Sequence, residues 1–222
     1  MPTLMFGRAR AVVMGMLVLA AAAPAAQGQS HPRWQVEASL HQTGATSMHG
    51  VIADGPSSSY DVRQVETVRY SVGASALARV APRSSLRFGL SLSNKGFAER
   101  STVSSPTGDQ TTVNQVDLLY LGAPLTLGYN LVNPRRGLVP VAEAGVVAEV
   151  LLREDESVFD YDLRDTGLSY LFNAGVKYTL ADGRALVLAP ELRIAAHPYS
   201  RDAPGAREFR PVTVGLKLAV QF

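Results

Sequence analysis

From Trp34 onward the chain alternates apolar and polar residues in eight separate runs, and no helix-period segment competes with them. Successive side chains of a β-strand point to opposite faces. A period of two therefore commits each run to a sheet with one apolar and one polar side. In the first run Trp34, Val36, Ala38 and Leu40 alternate with Gln35, Glu37, Ser39 and His41. The others cover 68–78, 86–93, 119–129, 142–152, 170–180, 186–194 and 212–222. Pro124, Pro140 and Pro190 fall inside these runs, where each deletes a ladder donor, so bulges or rim positions must absorb them.

The connections alternate in length. Arg79 to Ser85, Leu131 to Gly137 and Ala181 to Arg184 are tight and carry Pro82-Arg83, Asn133-Pro134 and Asp182-Gly183 as turn signals. Those at 45–64, 97–111, 153–166 and 198–208 are long and polar, and the first, rich in Ser and Gly, is expected to be mobile. Short turns at one end and long loops at the other are the layout of an up-and-down barrel spanning an outer membrane. Both termini then lie at the short-turn, periplasmic end.

A soluble sandwich or periplasmic ligand-binding barrel also alternates, with its apolar face inward. Three features favour the inverted arrangement. The apolar faces carry no charge, as expected if a cation at the bilayer midplane costs ~2–4 kcal/mol. The polar faces are rich in Gly, Ala and Ser, which suits the narrow lumen of eight strands. Trp34, Phe88, Tyr129, Tyr178 and Phe222 share the apolar parity near the short-turn ends, forming an aromatic belt at one interface; Tyr70 and Tyr170 begin the opposite one.

The segment before Trp34 reads as an address. Arg8 and Arg10 precede an apolar run of thirteen residues, 11–23, followed by the small-x-small site Ala26-Gln27-Gly28. A membrane-spanning helix needs ~20 apolar residues, so 1–28 is expected to be a signal peptide and 29–222 the barrel domain. Without Arg8 and Arg10 the 21 Lys+Arg and 19 Asp+Glu of the chain become equal. No basic surplus then remains for nucleic acid. The absence of cysteine excludes disulfide scaffolds, thiolate zinc, thiol catalysis and an N-terminal lipid anchor.

The runs 121–129 (Leu-Gly-Ala-Pro-Leu-Thr-Leu-Gly-Tyr) and 140–146 (Pro-Val-Ala-Glu-Ala-Gly-Val) resemble the outer-membrane β-barrel families of the OmpA/OmpX and PorT-like porin-family kind. So do Gly167-Leu168 leading into Asn173-Ala174-Gly175, and the closing run from Val212 to Phe222. The resemblance covers about 29–222. It implies an eight-stranded antiparallel transmembrane barrel in the bacterial outer membrane, and a terminal aromatic, matched by Phe222, that the barrel-assembly machinery reads. It names a family and no activity. The chain lacks a separate peptidoglycan-binding domain after the barrel, so a tethering role is not implied.

On this parity the lumen holds Arg69, Arg87, Lys177, Arg193 and Lys217 with Glu37, Glu143, Glu149 and Glu191. Charges there must pair, which predicts an internal salt-bridge network that plugs the barrel and excludes general diffusion. Read as a glycosidase pair, the same carboxylates would have no access to sugar. His41 and His197 lie near the outer strand ends with Ser39, Tyr199 and Ser200 close in sequence. A lipid A-modifying enzyme is thus the alternative, although no triad spacing is specific. The acids of 154–165 lack the EF-hand pattern and read as a solvated loop. The expectation is a monomeric, non-enzymatic protein without cofactor or metal, embedded in outer-membrane lipid and lipopolysaccharide. It would act structurally or through its extracellular loops, by adhesion, shielding or partner contact.

Overall fold

The computed structural model describes residues 33–45, 49–53, 59–65, 67–105, 108–133, 137–154, 163–199 and 210–222. Residues 1–28, expected from the sequence to be a signal peptide, lie outside them. Among the described residues the regular elements are β1 (Arg33–Ala45), β2 (His49–Ala53), β3 (Ser59–Val65), β4 (Thr67–Arg79), β5 (Ser84–Asn94) and β6 (Phe97–Ser105). They continue as β7 (Gly108–Val116), β8 (Leu118–Asn130), β9 (Gly137–Glu154), β10 (Thr166–Thr179), β11 (Ala185–Ala195) and β12 (Pro211–Gln221).

Eight strands close into an antiparallel barrel in the order β1-β12-β11-β10-β9-β8-β5-β4. Each alternating run of the sequence lies on one of them. Closure joins the first strand to the last in continuous register from Gln35↔Gln221 to Ala45↔Pro211. At the foot of this seam Trp34 and Phe222 exchange two backbone hydrogen bonds, at 2.9 and 3.0 Å. In a lipid-embedded wall such closure matters, because no solvent is available to satisfy an open strand edge.

The apolar faces point outward. Leu40 is 65% exposed and Leu216 50%, while Arg87 and Lys217 on the opposite parity are each 2% exposed. Leu90, Val72, Leu127, Phe172 and Leu188 share the outer surface. A continuous apolar exterior around a charged interior is the inverse of a water-soluble barrel. Ala76 faces outward yet is buried, because its neighbours in register are Trp34 and Phe88 and their rings flank it.

Neighbouring strands approach closely where inward positions are glycine. A Cβ at Gly145 would lie 2.2 Å from the Leu125 carbonyl oxygen, and one at Gly175 2.2 Å from that of Leu188. The prolines are accommodated locally. The β5–β8 ladder pairs Phe88 with Leu125 and resumes at Ser91↔Gly122, leaving Pro124 in the gap. The β10–β11 ladder breaks between Asn173↔Glu191 and Val176↔Leu188, leaving Pro190 in a matching gap. Pro140 sits at the rim, one residue beyond the last β8 pair, Asn130↔Val141, where its carbonyl accepts from Leu131 N–H at 2.9 Å.

The first two outer connections differ from their expected loop character. β2, β3, β6 and β7 form a second four-stranded sheet in the order β2-β3-β6-β7. That order repeats β1-β4-β5-β8 of the barrel. Three strands of this sheet join barrel strands across short stretches of chain: one residue between β3 and β4, Lys95-Gly96 between β5 and β6, and Asp117 between β7 and β8. Half of the barrel wall therefore runs on past the rim. The sequence around Ser101, Thr102, Thr111 and Thr112 supports this, since β-branched and hydroxyl residues favour extended pairing. Thr102 and Thr111, opposite each other, also join their hydroxyls at 3.3 Å.

Replacing Leu216 by Arg places a cation on the lipid side of the closing strand. Urea unfolding in phospholipid vesicles is expected to show a loss of ~2–4 kcal/mol. An unchanged unfolding midpoint would contradict a lipid-facing Leu216.

Candidate functional site

The candidate site is the lumen itself. Strand alternation brings the inward side chains of eight strands to one axis, and they assemble in layers.

The lower layer is a charged ring. Arg87 Nη1 on β5 donates to Glu37 Oε1 on β1 at 2.8 Å, and Arg87 Nε pairs with Glu143 Oε1 on β9. Lys217 Nζ on β12 donates to Glu143 Oε2 at 2.7 Å and lies 3.9 Å from Glu37 Oε2. β12 and β9 are separated by two strands in the wall, so the Lys217–Glu143 pair spans the lumen. Neutral donors complete the ring. Gln35 donates to Glu37 at 2.8 Å, Asn173 to Glu143 at 2.9 Å, and the Thr126 hydroxyl to Glu143. Two cations thus meet two carboxylates, all hydrogen-bonded, which offsets much of the desolvation cost of burying them.

The upper layer was not anticipated. Lys95, in the interruption between β5 and β6, donates to Glu149 Oε2 at 2.6 Å and to Ser169 Oγ at 3.3 Å. Tyr199 donates its hydroxyl to the same Glu149 oxygen. The Lys95 ammonium also lies 5.1 Å from the Tyr199 ring centroid and 5.6 Å from that of Tyr120. Above this knot Phe97, Val116, Leu118, Tyr120, Leu163, Ala195 and Tyr199 form one buried apolar cluster, with Leu151 packed against it. A register shift at Leu119/Tyr120 skips Leu152 and sets Leu151 opposite Tyr120. The Tyr199 ring lies over Gly167, where a Cβ would meet it at 2.4 Å. One sequence signal pointed here: Leu118 and Tyr120 are large apolar residues on the polar parity of their run, unlike Gly122, Thr126 and Gly128 below them.

The remaining charged positions lie apart from the ring. Glu191 and Arg193 pair with each other along β11 at 2.8 Å. Arg69 pairs at 3.1 Å with Asp117, at the outer rim. Lys177 forms no ion pair among the described residues, and Arg33 and Arg79 are like charges that act on it. Among the described residues, neither His41 nor His197 stands in a serine–histidine–acid arrangement. His41 Nε2 contacts the Asn94 carbonyl at 2.9 Å, Ser39 Oγ stands 3.5 Å from Nδ1, and Ser39 pairs more closely with Ser71 at 2.7 Å. The His197 ring lies 6.1 Å from that of Tyr199. Ser200 and the acids at 155–162 lie outside the described residues. Outside the membrane-spanning strands, in the tight turn after β10, hydrogen bonds from the Arg184 side chain and backbone N–H hold the Asp182 carboxyl below the usual carboxylate range.

Of the belt residues, Trp34, Tyr129, Tyr178 and Phe222 are exposed on the outer surface and Phe88 is half-buried there. Tyr70 and Tyr170 are exposed toward the other end.

Comparison with known proteins agrees with this architecture. A family model for the outer membrane protein beta-barrel domain matches residues 14–221. No curated protein sequence matches the chain. Among solved structures, OprG from Pseudomonas aeruginosa is similar at 14% identity and a TM-score of 0.49, over 88% of this chain and 98% of that one. The Escherichia coli outer membrane protein W is similar at 12% identity and a TM-score of 0.38, over 86% and 98%. Ail of Yersinia pestis is similar at 10% identity and a TM-score of 0.36, over 86% and 99%. With a family match along nearly its whole length and a closed eight-stranded wall, the chain belongs to the outer membrane protein beta-barrel domain family and resides in the bacterial outer membrane.

Proposed function

We propose that this protein is a plugged, non-enzymatic, monomeric barrel that acts structurally and through its outer surface, by adhesion, shielding or contact with a partner. The observation that carries this reading is the double obstruction of the lumen: a hydrogen-bonded charged ring below and an apolar cluster above. The two layers fill the lumen with side chains, and the Ser169 hydroxyl, which stands beside Lys95 and Glu149 in the upper layer, is 1% exposed beneath the apolar cluster and out of reach of a substrate. Among the described residues, what the chain offers outward is the wall extension β2-β3-β6-β7.

In the same reading the outward aromatics Trp34, Phe88, Tyr129, Tyr178 and Phe222 sit at headgroup level as a belt. Phe222 is the residue by which the barrel-assembly machinery recognises the closing strand, a role supported by its backbone pairing with Trp34 across the seam. The lipid surroundings include lipopolysaccharide on the outer side.

Three measurements test this. Purified protein in planar bilayers is expected to show no conductance of porin scale, and steady porin-like steps would overturn the plug. Removing one partner of a buried ion pair leaves a charge uncompensated. Arg87→Ala should therefore lower unfolding stability by ~3–5 kcal/mol, and a further Glu143→Gln change should recover part of that loss. Phe222→Ala should reduce assembly in cells while leaving refolding into detergent micelles unchanged, as judged by the heat-modifiable gel shift. Equal surface levels of the variant and the parent would remove the recognition role.

A further inference from the structure

Between the charged ring and the Lys95–Glu149 knot lies a band of inward side chains that belongs to neither layer. Glu191 and Arg193 on β11 mark its depth. Glu191 acts electrostatically on Arg87 of the ring and on Lys95 of the knot, and Arg193 acts on Lys95 and Glu149. Strand register extends the band around the wall. Asn173, which donates to Glu143 of the ring, is opposite Glu191; Arg193 is opposite Thr213, and Thr213 is opposite Thr43.

The polar groups of this band are incompletely matched. Glu191 Oε1 accepts from Arg193 Nε at 2.8 Å, but Glu191 Oε2 and Arg193 Nη1 have no hydrogen-bond partner in the protein. Nor have the hydroxyls of Thr43 and Thr213, Asn173 Oδ1 on the ring side and Glu149 Oε1 on the knot side. None of these six residues is more than 6% exposed. Leaving a buried polar atom unmatched is costly, so six in one band call for a ligand. There is room for one. The Glu191 and Arg193 side chains each keep 4% exposure although they point away from lipid, so the space beside them is inside the wall and water-sized. Its origin is in the sequence. β5 lies directly across the lumen from β11, and above Arg87 its inward residues are Gly89, Ser91 and Ser93, too short to reach the axis.

The unmatched atoms identify the ligand. They are two carboxylate oxygens, an amide oxygen, a guanidinium N–H and two hydroxyls. An anion would serve Arg193 and face both carboxylates. A cation would serve the carboxylates and face Arg193 and Lys95. A small neutral molecule that both donates and accepts suits all six. We propose that the band is a binding site for a cluster of ordered water, which joins the ring to the knot in one hydrogen-bonded column. At ~three contacts per buried water, the six atoms hold about two or three molecules. This water is held rather than conducted, because the ring closes one end of the band and the apolar cluster the other.

The test is a crystal structure of the mature chain, folded in detergent and grown in bromide, at a resolution that shows ordered solvent. Oxygen-sized peaks without anomalous signal are expected within hydrogen-bond distance of Glu191 Oε2, Arg193 Nη1 and the two threonine hydroxyls. A bromide signal there overturns the proposal in favour of an anion site. An empty band, with these atoms turned onto one another, overturns it as well. The Thr43→Val, Thr213→Val variant exchanges two hydroxyls for methyls and leaves the ring and knot untouched. It is expected to lose the peak beside Arg193 while those beside Glu149 and Asn173 remain. A peak unaltered in the variant overturns the part assigned to the hydroxyls. Thr213→Val alone takes its place if the double variant lacks the heat-modifiable band of the folded barrel. Steady porin-scale conductance is a separate result, which counts against the plug and leaves the solvent peaks to be judged on their own.

Discussion

Hydrocarbon offers no hydrogen-bond partner, so every peptide group in the wall must find one in the sheet. That requirement closes β1 onto β12 and allows no free edge at membrane depth. It also explains how prolines survive inside strands. Pro124 and Pro190 sit where the ladder on one side is interrupted, at the level of Gly89 and Ala174, while the other side stays paired to Val147 and Leu216. Each break is confined to one seam, and closure of the whole ring holds the wall together around it.

Closure fixes parity, and parity dictates the lumen. Once alternate residues face lipid, the remaining half must fill a space too narrow for bulk water. Small residues such as Ser39, Ser71, Ser75 and Ser91 occupy part of it. Charges are tolerated only as mutual partners, and the ring of Glu37, Arg87, Glu143 and Lys217 balances its signs within a few ångströms. Lys177 is the exception that marks the boundary. It lies on the inward parity but near the mouth, where solvent begins to replace the protein as its surroundings.

The eight barrel strands, their inward and outward faces and the short turns were legible in the sequence because each strand has one dry and one charged side. Where that asymmetry ends, legibility ends. β7 is exposed on both faces over most of its length, so Asp109 to Val113 shows no alternation and reads as a polar loop. Lys95 follows the last alternating residue of its run, and its place beside Glu149 depends on how Lys95-Gly96 bends the chain, which no periodicity reports. The charged lumen positions were readable one by one. Their partition was not: Arg69 going to Asp117 and Lys177 standing apart follow from depth along the axis, a coordinate that strand parity does not carry.

The wall extension and the apolar cluster are parts of one device. Phe97 and Val116 are the lowest register pair of the β6–β7 hairpin, and both are members of the cluster over the lumen. Leu118 and Tyr120 belong to the next residues down, at the start of β8. The extension therefore cannot be treated as an appendage on a finished barrel. Its first pair supplies the apolar layer that keeps water from the Lys95–Glu149 knot, and in that drier setting the ammonium, the carboxylate and the Tyr199 hydroxyl interact more strongly than they would at an open rim. Carrying four strands beyond the membrane is thus coupled to closing the lumen beneath them. An outward-facing surface and an obstructed interior follow from the same stretch of chain.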